Sequence, residues 1–157
     1  MPESFETKKQ RFFFNFFPCY IASGAKVKYI ASDYRQVKIE LGLNWLTRNY
    51  VGTIFGGSMF AATDPMFMIM LIKILGKEYI VWDKAGSIKF LKPGKEKLFA
   101  TFIVSDEDLA DIEEKLATND KTEKTFRVDL VDSKGVACAA AERLIYIRRK
   151  TVKGNDH

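Results

Sequence analysis

The 157-residue chain carries 25 Lys and Arg against 20 Asp and Glu, a net charge of +5, with 47% hydrophobic and 29% charged residues. That balance leaves room for one domain with a sizeable core and excludes both a disordered chain and a second domain. The single histidine, His157, ends a polar segment, so within one chain Ser-His-Asp, Cys-His and His-ligated zinc sites are excluded, and acid or base work falls to carboxylates, lysine or tyrosine.

Cys19 and Cys138 form no CxxC pair, which argues against a metal site and a disulfide framework and fits a reducing cytoplasm. The aromatic run Phe12 to Phe17 is interrupted by Asn15 and stopped by Pro18, so it does not read as a signal peptide, and a cytoplasmic location is expected. The longest apolar stretch, Ile54 to Leu75, contains Asp64, Pro65 and Lys73 and reads as a buried core element, with no stable membrane insertion expected. Basic residues are spread along the chain apart from Arg143, Arg148, Arg149, Lys150 and Lys153, and Asp106 to Glu114 is acidic. A solvated mixed-charge surface is therefore expected, with no nucleic-acid partner.

In chain order, Glu3 to Phe17 reads as a helix closed by Pro18, with phenylalanines too broadly spread for one stripe. It is expected to cover a core or a dimer edge. From Ala25 the period becomes two: Val27 and Tyr29 alternate with lysines, then Val37, Ile39, Leu41 and Leu43 alternate with Lys38, Glu40 and Gly42, predicting two strands joined near Asp33. Asn44 to Phe55 reads as a loop. Gly56 to Leu75 follows as an all-round apolar helix that other structure must wrap. Four further strands are expected at Ser87 to Leu91, Leu98 to Val104, Thr125 to Val131 and Val136 to Ile147. A helix between the second and third of these opens with a capping box at Ser105 and buries Leu109, Ile112 and Leu116. Residues 1–150 are thus expected to form a single domain, with the N-terminal helix over 1–18, and residues 151–157 a polar tail.

These elements predict an α+β hotdog fold, an antiparallel sheet of about six strands wrapped around a central apolar helix. Such a sheet leaves an edge strand uncovered, so a homodimer that continues it is expected.

The chemistry concentrates in Asn49 to Pro65, NYVGTIFGGSMFAATDP. This segment resembles the active-site stretch of PaaI-like acyl-CoA thioesterases of the hotdog superfamily, and the wider pattern resembles an uncharacterised thioesterase-like branch of it. Asn49, Gly52, Gly56, Gly57 and Asp64 match that family's Asn, Gly, Gly pair and helix carboxylate, whereas Phe55 stands where those enzymes carry His. The resemblance implies hydrolysis of an acyl-CoA or related thioester in a cleft between two subunits of a homodimer or a pair of dimers, with coenzyme A only as part of the substrate and no metal. Asp64 would activate water or attack the carbonyl, the Gly57 N–H would hold the oxyanion, and Asn49 would orient water or carbonyl. Phe55, Gly56, Ser58, Met59, Phe60 and Phe67 would line the acyl site. A non-catalytic acyl-chain or acyl-CoA binding module is the alternative.

Each residue also has a plainer reading. Gly-Gly at a helix start serves an oxyanion hole or close backbone packing equally well. Asp64 before Pro65 reads as a helix cap as well as a general base. Asp83 lies ten residues before Pro93, where similar thioesterases place a polar residue that assists the water, and it also reads as a surface turn carboxylate beside Lys84. Ser58 has neither a base nor a GxSxG elbow and reads as a helix N-terminal hydrogen-bonding residue. Phosphate-loop and dinucleotide motifs do not occur. Lys92, Lys95, Arg143 and Arg148 are candidates for coenzyme A phosphates.

Overall fold

The computed structural model describes residues 1–150, so the tail expected over 151–157 lies outside the described residues. Helix α1 (Phe5–Phe14) opens with a capping box, in which Ser4 accepts from the Thr7 N–H and the Thr7 hydroxyl accepts from the Ser4 N–H. It ends three residues earlier than expected. Pro18 starts a second helix, α2 (Pro18–Ser23), because proline fits the first helical position, where the missing N–H has no partner to lose. Between them Asn15 hydrogen-bonds both backbone groups of Val27, at 2.8 and 2.9 Å, and fastens the helical pair to the sheet.

Alternation produces β1 (Ala25–Ile30) and β2 (Gln36–Leu41), with Val27, Ile39 and Leu41 buried and Lys26, Lys28 and Lys38 exposed. The sheet is completed by β3 (Tyr79–Phe90), β4 (Leu98–Ile103), β5 (Lys121–Val131) and β6 (Ala137–Arg149). Its six antiparallel strands run in the order β1-β2-β4-β5-β6-β3. β3 starts eight residues before the expected Ser87, since on this edge strand most side chains face solvent and leave no alternation to read. The outer side of β3 pairs with nothing among the described residues.

The central helix also departs from expectation. It is two helices, α3 (Gly56–Thr63) and α4 (Met66–Leu75), because Pro65 lacks an N–H and drives Asp64 into extended backbone, φ −88° and ψ 137°. Nor is it wrapped on every side: Met66, Phe67, Met70 and Leu71 are buried, Ile69 is half-buried, and Ile72 is 40% exposed. Between β4 and β5, α5 (Asp106–Thr118) carries the expected capping box of Ser105 and Asp108 and buries Leu109, Ile112 and Leu116.

Phe67 anchors the helix to the sheet, stacked 4.7 Å from the Phe126 ring and edge-on to Phe102 at 5.1 Å. It belongs to the core and lines no acyl pocket. Truncation there leaves a cavity against two aromatic rings, so Phe67→Ala should lose about 3–5 kcal/mol in urea unfolding and Phe67→Leu distinctly less. Equal losses would place the stability elsewhere.

Candidate active site

The helix break puts Asp64 between the end of α3 and the start of α4, with its side chain 53% exposed. Its carboxylate caps neither helix. Its hydrogen bond among the described residues comes from Nη1 of Arg143, at 3.4 Å, which sets aside the capping reading.

Arg143 lies on β6 in the inward row with Ala141, Ile145 and Ile147 and is only 4% exposed. Nε and Nη2 donate to the Thr63 hydroxyl at 3.2 and 2.9 Å, Nη2 also donates to the Phe60 carbonyl at 2.8 Å, and the Phe60 ring lies 4.1 Å from the guanidinium carbon. A cation thus satisfies the Phe60 carbonyl, freed at the end of a helix. Across the ladder stands Gly86, where a Cβ would come within 2.9 Å of Nη1 and 3.0 Å of the Phe60 ring. Arg143 is therefore withdrawn as a surface partner for phosphates. The sequence reading placed it in a solvated basic cluster and missed its role, although the two-residue spacing to Ala141 and Ile145 carried the signal.

Asp83 is a strand residue of β3, not a surface turn carboxylate. Both its carboxylate oxygens are buried without a hydrogen-bond partner among the described residues. Burial, aided by the negative charge of Asp64 and opposed by Arg143, pushes its carboxyl up to about 6. Asp64, Asp83 and Arg143 thus form one charge cluster under the helix break. No group of three or more His, Cys, Asp or Glu among the described residues is arranged to hold a metal ion.

The opposite end of α3 holds the glycines. Among the described residues no side chain caps this terminus, so the Gly57 N–H has neither an intrahelical nor a side-chain partner there. The glycines also allow close packing: a Cβ on Gly57 would meet the Phe55 ring at 2.3 Å, and one on Gly56 the Phe90 ring at 2.7 Å. Asn49 shapes its own loop, accepting from the N–H groups of Val51 and Thr53 and donating to the Thr53 hydroxyl at 2.9 Å. With Gly56, Met59, Phe90 and Lys92 it borders a depression of about 410 Å³.

The residues expected around the acyl group do not share one pocket. Met59 and Gly56 border this depression, Phe60 lies beneath Arg143, Phe55 is exposed, and Phe67 is in the core. Ser58 is buried in the first turn of α3 and bonds to no acid or base among the described residues. Gly57 and Asp64 are seven residues apart, about 10 Å along the helix, so one chain does not bring both to one carbonyl.

The cluster has a pH signature. Below about pH 4 Asp83 is protonated in folded and unfolded chains alike; between about 4 and 6 only the unfolded chain ionises, and the folded chain loses stability that it does not regain above 6. Asp83→Asn should therefore raise Tm by a few degrees at pH 7.5, with the gain fading as pH falls through that window. A pH-independent gain would remove the raised carboxyl from the account.

No curated protein matches the chain. The profile of the family described as Domain of unknown function (DUF4442) matches residues 8–147. Among solved structures, the chain is similar to a probable thioesterase of Pseudomonas aeruginosa, with 17% identity, a TM-score of 0.79 and coverage of 96% of this chain and 99% of that one. A thioesterase of Haemophilus influenzae has 10% identity, a TM-score of 0.69 and coverage of 99% and 97%. The PaaI protein of E. coli, from a phenylacetic acid degradation operon, has 16% identity, a TM-score of 0.63 and coverage of 92% and 93%. The chain has the hotdog fold of these thioesterase structures.

Proposed function

The chain belongs to the DUF4442 family, and we propose that it hydrolyses an acyl thioester, such as an acyl-CoA, at a site shared by two copies of the chain. The observation that carries this reading is the Asp64 carboxylate, set at a break in the core helix, half-exposed and held by a buried arginine beside a second carboxylate.

In the proposed reaction Asp64 takes a proton from water, and the resulting hydroxide forms a bond to the thioester carbonyl carbon. The oxyanion is met by the Gly57 N–H of a second copy, where the helix N-terminus favours negative charge. Collapse breaks the C–S bond, and the thiolate takes the proton held by Asp64, giving a carboxylic acid and a thiol. Asp83 stands next to Asp64 as a second carboxylate, ionised above about pH 6. Asn49 positions the Gly57 end by holding the preceding loop. Lys92, on the same depression as Gly56, is the cation best placed for the phosphates of a coenzyme A carrier.

Two copies are needed because Gly57 and Asp64 point to different ends of α3, and the unpaired edge of β3, twelve residues long, offers the surface for antiparallel pairing. A second reading, a non-catalytic acyl-binding module, is favoured by the Phe55 ring packed over Gly57 where relatives by resemblance have a donor.

Free-thiol detection across an acyl-CoA panel tests the first reading. Asp64→Asn should fold as wild type and lose at least about 100-fold in turnover. Mixing Asp64→Asn with Gly57→Val subunits should restore up to about a quarter of wild-type turnover, since about half of all dimers are then mixed and each mixed dimer holds one intact site of two. Normal turnover by Asp64→Asn ends the mechanism, and failure of the mixture to recover ends the shared site.

A further inference from the structure

Asp64 also opens onto an apolar groove of about 680 Å³ between the N-terminal helices and α4. One wall is Phe14, Phe17 and Tyr20; the other is Pro65, Ile69 and Ile72. Of the ionisable side chains lining it among the described residues, Asp64 is the only carboxylate and Lys73 the only cation. Asp64 adjoins the start of α4, and Lys73 lies in its last turn. Lys73 is turned to Glu6, 3.9 Å away, and to the Tyr34 ring.

Pro65, Ile69, Ile72 and Lys73 recur at helical spacing and make one stripe along α4. The eight steps from Pro65 to Lys73, at about 1.5 Å each, give it a length of about 12 Å. An extended chain advances about 1.2 Å per bond, since three backbone bonds span about 3.3–3.6 Å, so the stripe matches about ten carbons. Pockets of a few hundred Å³ with apolar walls and few polar groups are the usual sites of small ligands. The walls offer little to orient a polar or branched group along their length, which suits a polymethylene chain.

We infer that this groove holds the acyl chain of the substrate, an unbranched saturated chain of about ten carbons. The carbonyl lies at Asp64 and the terminal methyl at Lys73, where the apolar wall stops. The position of the carbonyl rests on the hydrolase reading, while the binding of the chain does not. The acyl specificity is then set by α1, α2 and α4 of the chain that supplies Asp64. The residues around the glycines contribute nothing to it.

The test uses unbranched 1-alkanols from butanol to hexadecanol, which are uncharged and cannot be hydrolysed. Binding is followed through the Ile69 and Ile72 δ1-methyl NMR signals. Both methyls should shift, and affinity should rise about fourfold per added methylene and level off near ten carbons. Ile72→Trp, at a position 40% exposed, should keep its fold and bind decanol at least about 10-fold more weakly. Absence of shifts at Ile69 and Ile72, as when a second copy fills the groove, overturns the proposal. So does an affinity that ignores chain length, or decanol binding by Ile72→Trp equal to wild type. Hydrolysis of acetyl-CoA, whose acyl group is too short to need the groove, reports on the hydrolase reading separately. Asp64-dependent acetyl-CoA turnover without alkanol binding overturns the groove alone. Alkanol binding at the isoleucines without turnover of any thioester sustains the groove and overturns the hydrolase.

Discussion

A guanidinium withdrawn from water must be paired and hydrogen-bonded, because the cost of burying an uncompensated cation is several kcal/mol in order of magnitude. Arg143 meets this demand with the Thr63 hydroxyl, the Phe60 carbonyl and the Asp64 carboxylate, all of which become available where Pro65 interrupts the central helix. The helix break, the row of β6 that faces the helix and the bare backbone of Gly86 on β3 therefore form one arrangement. Lysine would not reproduce it, since the planar fork reaches three acceptors while stacking on the Phe60 ring.

That arrangement also explains how Asp83 is tolerated. A buried carboxylate without a hydrogen-bond donor is an expensive group, and the nearby Arg143 charge offsets part of the cost. Two acids in adjacent but unlike surroundings, one facing a groove and one on the edge strand with its carboxylate oxygens buried, are commonly assigned unlike proton-transfer roles. Structural necessity accounts for Arg143 and Gly86. It does not account for Asp83, which an asparagine or a small apolar residue would replace at lower cost.

Much of the fold was legible in the sequence because its signals are local: two-residue alternation in β1 and β2, the Ser105 capping box, and an apolar run too rich in Met, Phe and Ile to face water. Asp64 was legible for the same reason, as a charge in an apolar segment. Less could be read where tertiary contact overrides pattern. The edge strand β3 has no alternation, so Asp83 passed for a turn residue. Arg143 was counted with its exposed basic neighbours, although it faces the opposite way from Arg148. A helix apolar on all sides does not announce which side meets the sheet, and so Phe67 was assigned to a pocket while Ile69 and Ile72, which line the groove, were not.

No histidine lies among the described residues, which bears on the acyl bond that the proposed site suits. An ester or amide leaves as a strongly basic alkoxide or amine anion unless an acid protonates it, and in many hydrolases histidine shuttles that proton. A thiol has a pKa of about 8.5 and departs as a thiolate with little help, so the demanding steps reduce to making a hydroxide and stabilising an oxyanion. A carboxylate can do the first and a helix N-terminus the second, and both groups stand on α3. Phe55 offers no donor beside Gly57, and its ring packs against the Gly57 backbone, which leaves the backbone N–H groups as the donors at that end. On the proposed reading, a carboxylate and a helix N-terminus are thus the groups that a thioester requires, whereas an imidazole, which the described residues do not contain, is the group that an ester or amide would need most.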